Sequence, residues 1–227
     1  MKKVILFLLL YLSFYLSCFS SAQDNKNIRV ITYNVWYGFT KKPDRKEEWI
    51  KYIKSLKSDV IALQELNNYT EEDLAKDAKS WGHPHTALLK EDGFPTGITS
   101  KYPIKDLKKT TNGYHHGMLS CKIAGLQIYN IHLHPGHWEI RHREVDLLLK
   151  TLQKHKPNEP ILLVGDFNTF SKHDEKYYDQ TPDIIPFFRR LDQRWKSNRN
   201  LRDDQLDYTH LNKFENAGYI DLIAERR

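Results

Sequence analysis

The ten residues ILLVGDFNTF, from Ile161 to Phe170, constrain the fold more than any other stretch of this chain. Four apolar residues lead into Gly165, a pattern typical of a buried strand that ends at a tight turn. Asp166 and Asn168 follow two positions apart, so on an extended chain their side chains point to the same side. An Asx turn that only closes the strand is the simpler interpretation. The rest of the sequence has to show whether other polar side chains reach the same place.

Strand-like and helix-like segments alternate along the chain. Apolar or alternating patterns predict strands at Ile28 to Trp36, Asp59 to Gln64, Phe94 to Ile104 (as strand, turn and strand), Leu119 to Ile123, Leu126 to His132 and Ile161 to Gly165. Helical spacing predicts one helix after a capping box at Asp44 and Glu47, and further helices at Glu71 to Ser80, Ile140 to Gln153, Asp183 to Trp195 and Thr209 to Ala217. Because hairpin-like pairs occur among the strands, we predict an α/β domain with mixed or antiparallel sheets.

The N-terminus differs in kind from the rest of the chain. Two lysines precede an apolar run, Val4 to Phe19, and Ser-Ser-Ala provides the small residues of a cleavage site at Ala22. This order is typical of a secretory signal peptide, which we predict for residues 1–22. A membrane anchor is the alternative, although the run is short for a span, and lipid modification of Cys18 is another. We therefore expect an exported domain over residues 23–227.

Removal of such a signal would leave Cys121 as the one cysteine, so core packing rather than a disulfide would have to stabilise the exported domain. The whole chain carries a net charge of +6. This mildly basic balance permits an anionic substrate without requiring nucleic acid. The densest basic stretch, Arg189 to Arg202, is either a phosphate-binding patch or an ordinary solvated surface.

Four of the predicted strands end in side chains suited to metal or phosphate chemistry. They present Asn34, Glu65, His132, and Asp166 with Asn168. In layered α/β folds, side chains at strand ends converge on one edge. Hard oxygen donors with few sulfurs or imidazoles favour Mg²⁺ over Zn²⁺. One such ending carries little weight, but four of them favour a common site.

These segments resemble the motifs of the endonuclease/exonuclease/phosphatase superfamily, which has the DNase I-like fold. The motifs occur in the family's order: ITYNVW around Asn34, VIALQEL around Glu65, TGITSKYPI, YNIHLH around His132, ILLVGDFNT, and NAGYIDL near the end. The resemblance implies an α/β four-layer sandwich of two packed mixed β-sheets flanked by helices. It also implies hydrolysis of a phosphate ester by metal-assisted attack of water, with Mg²⁺ as the ion and Mn²⁺ as the alternative.

The resemblance also implies a role for each site residue. Glu65 would be a metal ligand, and Asn34 a second ligand or a positioning group. Asp166 would orient and activate the water, Asn168 would donate to the phosphate in the transition state, and His132 would contact the phosphate or the leaving group. The histidine at this position resembles the DNase I, sphingomyelinase and inositol-phosphatase side of the family rather than the apurinic endonucleases.

The implied substrate is a phosphate ester: a nucleic acid, a phospholipid head group or a sugar phosphate. We expect a monomer with no obligate protein partner. His134 and His137 lie close to His132 in sequence and raise the alternative of a zinc site, but no cysteine and no His-x-x-Glu helix accompanies them. We expect both at the rim of the substrate pocket. A two-metal phosphatase of the calcineurin type would need further Gly-Asp and Gly-Asn-His blocks that this sequence does not contain.

The chain departs from the family pattern near its C-terminus. Family members carry an Asp-Tyr-bearing strand and then a Ser-Asp-His motif that completes the acid–base machinery, and neither follows the closing YIDLIAERR. We therefore expect a domain whose last strands are missing, with low stability and with turnover at least about 10³-fold below that of a complete member. The alternative to an enzyme is an exported binding module that keeps the fold without turnover.

Overall fold

Two β-sheets carry the fold in a computed structural model that describes residues 27–226; the signal peptide predicted for residues 1–22 lies outside the described residues. The first sheet contains β1 (Val30–Asn34), β2 (Val60–Gln64), β3 (His85–Leu88) and β4 (Gly97–Ser100), in the spatial order β1-β2-β4-β3. The second contains β5 (Ile104–Thr110), β6 (Met118–Ile123), β7 (Leu126–His132) and β8 (Ile161–Asp166), in chain order.

The helices flank these sheets, and their bounds agree with the sequence patterns to within two residues wherever a helix end was predicted. They are α1 (Lys46–Ser55), α2 (Glu71–Ser80), α3 (Trp138–Leu152), α4 (Glu175–Asp179), α5 (Ile184–Arg194) and α6 (Thr209–Asn216). Short 3₁₀ turns occupy Pro43–Arg45, Lys172–Asp174 and Ala224–Arg226. Among residues 27–226, no helix combines the length and the hydropathy that crossing a bilayer requires.

Each sheet contains one parallel strand pair, and this pairing explains the positions of two helices. β1 pairs with β2 and β7 pairs with β8 in parallel, whereas the remaining pairs are antiparallel. Parallel neighbours need a crossover connection, which α1 provides in the first sheet and α3 in the second. The predicted fold class, α/β with two packed mixed sheets flanked by helices, is confirmed.

The start of α1 differs from the prediction. Asp44 does not cap this helix, because Pro43 fixes the backbone of a 3₁₀ turn that already includes it, and α1 begins at Lys46 without a side-chain cap. The capping box predicted at Asp44 and Glu47 is therefore wrong. A capping box is found instead at the start of α2, where Thr70 and Asp73 bond each other's backbone N–H groups.

Apolar side chains divide the molecule into four layers. Along β2, Val60 and Ala62 point between the two sheets, whereas Ile61 and Leu63 point outward under α1 and α2. The outer face of the second sheet packs against α3 through residues such as Leu148. β2 and β7 are thus buried on both faces, whereas β5 is largely exposed. Polar side chains gather at the ends of the buried strands.

A buried polar bridge joins the two sheets directly behind those strand ends. The Asn130 side chain on β7 donates from Nδ2 to the carbonyl oxygens of Leu63 (3.1 Å) and Gly97 (2.8 Å) in the first sheet. Its Oδ1 accepts from Gln64 Nε2 at 2.9 Å. Because a satisfied buried network of this kind permits few alternative arrangements, it fixes the position of one sheet on the other.

Candidate active site

The five site residues predicted from the sequence lie together at one edge of the sandwich. Asn34, His132 and Asp166 are the last residues of β1, β7 and β8, Glu65 directly follows β2, and Asn168 lies two residues beyond β8. Parallel pairing sets β1 level with β2, and it sets His132 opposite Asp166. The strand ends therefore coincide in space, as expected for side chains at the carboxyl ends of parallel strands.

Gly165 is required for this arrangement. It lies opposite Ile131 in the β7–β8 ladder and has a positive φ of 132°. A Cβ atom at this position would lie 1.9 Å from the Ile131 carbonyl oxygen. Since only glycine avoids this clash, it allows β8 to approach β7 closely enough to bring Asp166 beside His132.

One side-chain amide connects two carboxylates from different sheets. Asn34 Nδ2 donates to Glu65 Oε1 at 3.0 Å and to Asp166 Oδ2 at 2.9 Å. Asn34 Oδ1 accepts from the Trp36 N–H at 2.9 Å, and Glu65 Oε2 accepts from the Tyr37 N–H at 3.0 Å. Asn34 therefore orients both carboxylates, and we define Asn34, Glu65 and Asp166 as the carboxylate corner.

The backbone after β1 adopts a left-handed turn that supplies these N–H groups. Trp36, Tyr37, Gly38 and Phe39 all have positive φ, between 49° and 65°. This conformation costs about 1–2 kcal/mol for each residue that carries a side chain. Strain of this kind is concentrated at functional sites. Trp36, whose N–H donates to Asn34, is 54% exposed.

Asp166 and Asn168 form the Asx turn that was the simpler interpretation of their spacing, and they also belong to the site. The Asn168 N–H donates to Asp166 Oδ1 at 2.9 Å, which leaves Oδ2 facing Asn34. The Asn168 side chain donates from Nδ2 to the Leu133 carbonyl oxygen at 2.9 Å. The turn therefore fixes the orientation of the carboxylate.

Four imidazole rings in mutual contact extend from Asp166; we call His115, His116, His132 and His134 the histidine wall. His132 Nε2 lies 4.0 Å from Asp166 Oδ2. The His132 ring stacks on His116 at 4.1 Å, His116 contacts His115 at 4.4 Å, and His115 contacts His134 at 4.2 Å, all between ring centroids. His115 and His116 lie between segments predicted as strands, and nothing in their local sequence connects them with His132.

Burial keeps this wall neutral. It lowers the pKa of His116 to about 2 and that of His134 to about 4, with the neighbouring histidines adding to both effects. Burial also lowers the pKa of His115 and His132, and at His132 the negative charges of Asp166 and Glu65 oppose it. At neutral pH these imidazoles are therefore uncharged hydrogen-bonding groups.

The carboxylate corner fits a divalent cation. Within residues 27–226, no lysine or arginine nitrogen lies within 4.0 Å of the carboxylates of Glu65 or Asp166; His132 is the one titratable base beside them. Mg²⁺ is commonly held by one or two carboxylates and several waters, which matches two oxygen-donor groups without a charge partner. The described residues contain no group of three or more His, Cys, Asp or Glu arranged to hold a metal ion.

An open cavity of about 430 Å³ lies beside the corner and gives it access to solvent. Asn34, Asp166 and Asn168 line one part of it, and the rings of Phe170 and Phe188 line another. Asn34, Asp166 and Asn168 are thus reachable from outside the protein.

The basic stretch between Arg189 and Arg202 is partly neutralised. Arg189 pairs with Asp204, Arg199 pairs with Glu139, and Arg202 lies 3.9 Å from Asp203. Since three of its arginines already have carboxylate partners, the stretch offers less free positive charge than its sequence indicates.

A layered α/β sandwich with Asn, Glu, His and Asp gathered at the strand ends is the architecture of DNase I-like proteins. The model of the Endonuclease/Exonuclease/phosphatase family matches residues 31–210, and the chain belongs to this family. A sequence search against curated proteins finds no significant match.

Several solved structures share the fold. An AP endonuclease from Archaeoglobus fulgidus is 18% identical, with a TM-score of 0.50, over 63% of this chain and 58% of that one. Humanized D. rerio TDP2 is 19% identical, with a TM-score of 0.53, over 66% and 70%. The Neisseria 3′ phosphatase NExo, bound to a product DNA hairpin, is 13% identical, with a TM-score of 0.51, over 66% and 63%. The chain thus spans less than two thirds of the first structure, and these identities establish the fold alone.

Proposed function

We propose that this protein is an exported phosphoesterase that hydrolyses a phosphate ester with the help of a divalent metal ion. The observation that carries the proposal is the carboxylate corner, where one amide, Asn34, holds Glu65 and Asp166 from two sheets. His132 and Asn168 lie beside it. Membership of a family of nucleases and phosphatases supports this class of reaction.

Glu65 would hold the metal ion, with Asn34 orienting the carboxylate or contributing a second oxygen. The oxygen donors favour Mg²⁺, with Mn²⁺ as the alternative. When bound, the ion would polarise a phosphoryl oxygen and offset charge that develops during hydrolysis.

The remaining residues divide the work of proton transfer and charge stabilisation. Asp166, held by the Asn168 N–H at 2.9 Å, would accept the proton of the attacking water through Oδ2. Asn168 uses one amide hydrogen on Leu133 and would donate the other to a phosphate oxygen. His132, whose pKa is lowered by burial, would serve as a neutral N–H donor to the phosphate or the leaving group.

The substrate classes that fit are nucleic acids, phospholipid head groups and sugar phosphates. Nucleic acid is the first to test, because the Neisseria structure of the same fold holds a product DNA hairpin. Export would follow from the sequence of residues 1–22. We propose a monomer, since no obligate protein partner is needed to complete the carboxylate corner.

A substrate panel tests the proposal. The purified protein is incubated with single- and double-stranded DNA, sphingomyelin vesicles and inositol phosphates, each with Mg²⁺, with Mn²⁺ or with EDTA. We expect hydrolysis of one class that EDTA abolishes and added Mg²⁺ restores. Hydrolysis that survives EDTA would contradict the metal-dependent reaction. Metal and ligand binding without turnover on any class would favour a binding module.

A further inference from the structure

Glu144 on α3 is a buried carboxylate with no role in the site described so far. Its exposed fraction is 0%, and burial raises the pKa of its carboxyl group. Backbone N–H donors and the Arg141 charge oppose this shift. A buried carboxylate is costly unless its oxygens are satisfied, so the partners of Glu144 show what it holds in place.

Both partners are backbone groups of the histidine wall. Glu144 Oε1 accepts from the His115 N–H at 2.6 Å, and Oε2 accepts from the His134 N–H at 2.8 Å. These residues lie on separate segments, His115 between β5 and β6 and His134 beyond the end of β7. One side chain on α3 therefore connects two loops that are distant in sequence.

Arg141, one helical turn earlier on α3, also bonds to the loop that carries His134. Its Nη1 donates to the His134 carbonyl oxygen at 3.1 Å, and the residue is only 1% exposed. Side chains three positions apart share one face of a helix, so Arg141 and Glu144 together hold both sides of the His134 residue. In addition, the Gly136 N–H donates to His134 Nδ1 at 3.1 Å, which places the ring proton on Nε2.

Ring contacts carry this constraint to the proposed catalytic histidine. His115, fixed by Glu144, contacts His116, and His116 stacks on His132 at 4.1 Å with an interplanar angle of 23°. His132 in turn lies beside Asp166. The path from Glu144 to the carboxylate corner thus consists of two main-chain hydrogen bonds and a short row of packed rings.

We propose that Glu144 is a positioning residue: by joining the loops that carry His115 and His134, it holds the histidine wall together and keeps His132 beside Asp166. The proposal deepens the proposed function and rests on it for its kinetic readout. Arg141 supports the same arrangement from the next turn of α3.

The test is Glu144→Gln, which keeps the size of the side chain but has a single acceptor oxygen. One of the two loop N–H groups then faces the NH₂ group of the glutamine side chain, which cannot accept a hydrogen bond. We expect kcat to fall by about 10- to 100-fold, the effect of a small displacement of a reacting group, while KM and Mg²⁺ affinity stay within about twofold. Glu139→Gln, on the same helix at a surface pair with Arg199, is the matched control and should leave all three unchanged.

A second readout does not depend on turnover. Histidine ring ¹H–¹³C NMR spectra at neutral pH report the stacking of His116 on His132, because each ring shifts the resonances of the other. We expect both sets of resonances to move in Glu144→Gln and to stay in place in Glu139→Gln. If no substrate in the panel is hydrolysed, the proposed function fails while the spectra still decide this inference.

If Glu144→Gln does not fold, Glu144→Asp takes its place, because it keeps the charge and both oxygens on a shorter side chain. The same movement of the His116 and His132 resonances is expected. Unchanged resonances with unchanged kcat would overturn the proposal. Failure of both variants to fold would show that Glu144 only stabilises the core, and this would also overturn the proposal. A fall in kcat together with a rise in KM and a loss of thermal stability would show the same.

Discussion

The carboxylate corner and the histidine wall are two sides of one site, built in opposite ways. In the corner, side chains are joined to one another through the Asn34 amide, and the Asp166 side chain remains 30% exposed. In the wall, the His132 side chain is only 2% exposed, and the loops are held through main-chain bonds to Glu144. The corner is a partly exposed pair of carboxylates, whereas the wall consists of neutral imidazoles, of which His116 and His132 are buried.

This difference follows from the cost of burying charge. Carboxylates can stay ionised where solvent or a cation reaches them, whereas burial favours the uncharged form of an imidazole. The corner is therefore suited to hold a metal ion and to accept a proton. The wall is suited to donate hydrogen bonds without adding charge. Changes on the two sides should accordingly affect different measurable quantities.

The largest expected effect is on the corner, in Asp166→Asn. The amide keeps the shape of the side chain but cannot accept a proton from water, so kcat should fall by about 10³-fold, within the range for loss of a general base. Mg²⁺ affinity, measured by calorimetry, should change by less than about threefold, since Glu65 is the proposed ligand.

Asp203→Asn, at a side chain that is 94% exposed, is the control for this change and should keep full activity. If Asp166→Asn and Glu65→Gln lose Mg²⁺ affinity equally, the proposed division of roles, with Asp166 as proton acceptor and Glu65 as metal ligand, would be wrong.

Glu65→Gln should give the next largest effect, and the quantity affected should be Mg²⁺ affinity. Removing the negative charge should weaken Mg²⁺ binding by about 10- to 100-fold. The metal-free protein should unfold at a temperature close to that of the wild type, because the remaining oxygen of the side chain can still accept a hydrogen bond. Glu72→Gln, exposed on α2, provides the comparison. A variant that unfolds with unchanged metal affinity would make Glu65 a structural residue.

The corner could be predicted from the sequence because its signals are local. Each residue ends or follows a segment whose apolar or alternating pattern is long enough to identify a strand, and Gly165 marks the close approach of β7 and β8. Parallel pairing then makes the strand ends coincide. The positions of Asn34, Glu65 and Asp166 thus follow from patterns a few residues long, whereas their roles stay predictions.

The wall could not be predicted because its interactions are long-range. Glu144 and His115 lie 29 residues apart, and nothing in either local pattern connects them. Strand β3, His85–Leu88, was missed for a similar reason, since four residues show too little alternation and the strand depends on pairing with β4. The left-handed turn that begins at Trp36 has three residues with side chains at positive φ, which local preferences disfavour.

The smallest expected effect concerns the pH dependence of stability, and it tests whether the wall is neutral. Because the pKa of His116 is lowered from 6.5 to about 2, the unfolded chain binds a proton below pH 6.5 that the folded protein does not. Stability should therefore fall with decreasing pH, by about 1.4 kcal/mol per pH unit for this group, from about pH 6 downward. Above pH 6.5 the group is neutral in both states and contributes nothing.

His116→Phe keeps an aromatic ring against His132 but removes the titrating group, so its unfolding free energy should depend less steeply on pH than that of the wild type. Urea unfolding at pH 7.5, 6 and 5 measures the two slopes.

Phe94→Leu is the control, because it removes a ring that contacts His116 at 5.2 Å without removing a titratable group, and it should lower stability by the same amount at each pH. The neighbouring charges of Lys90, His115, His132 and His134 are common to all three proteins. If the unfolding free energies of the wild type and His116→Phe have the same slope against pH, His116 is protonated as easily in the folded protein as in the unfolded chain. The prediction that the histidine wall is neutral would then be wrong.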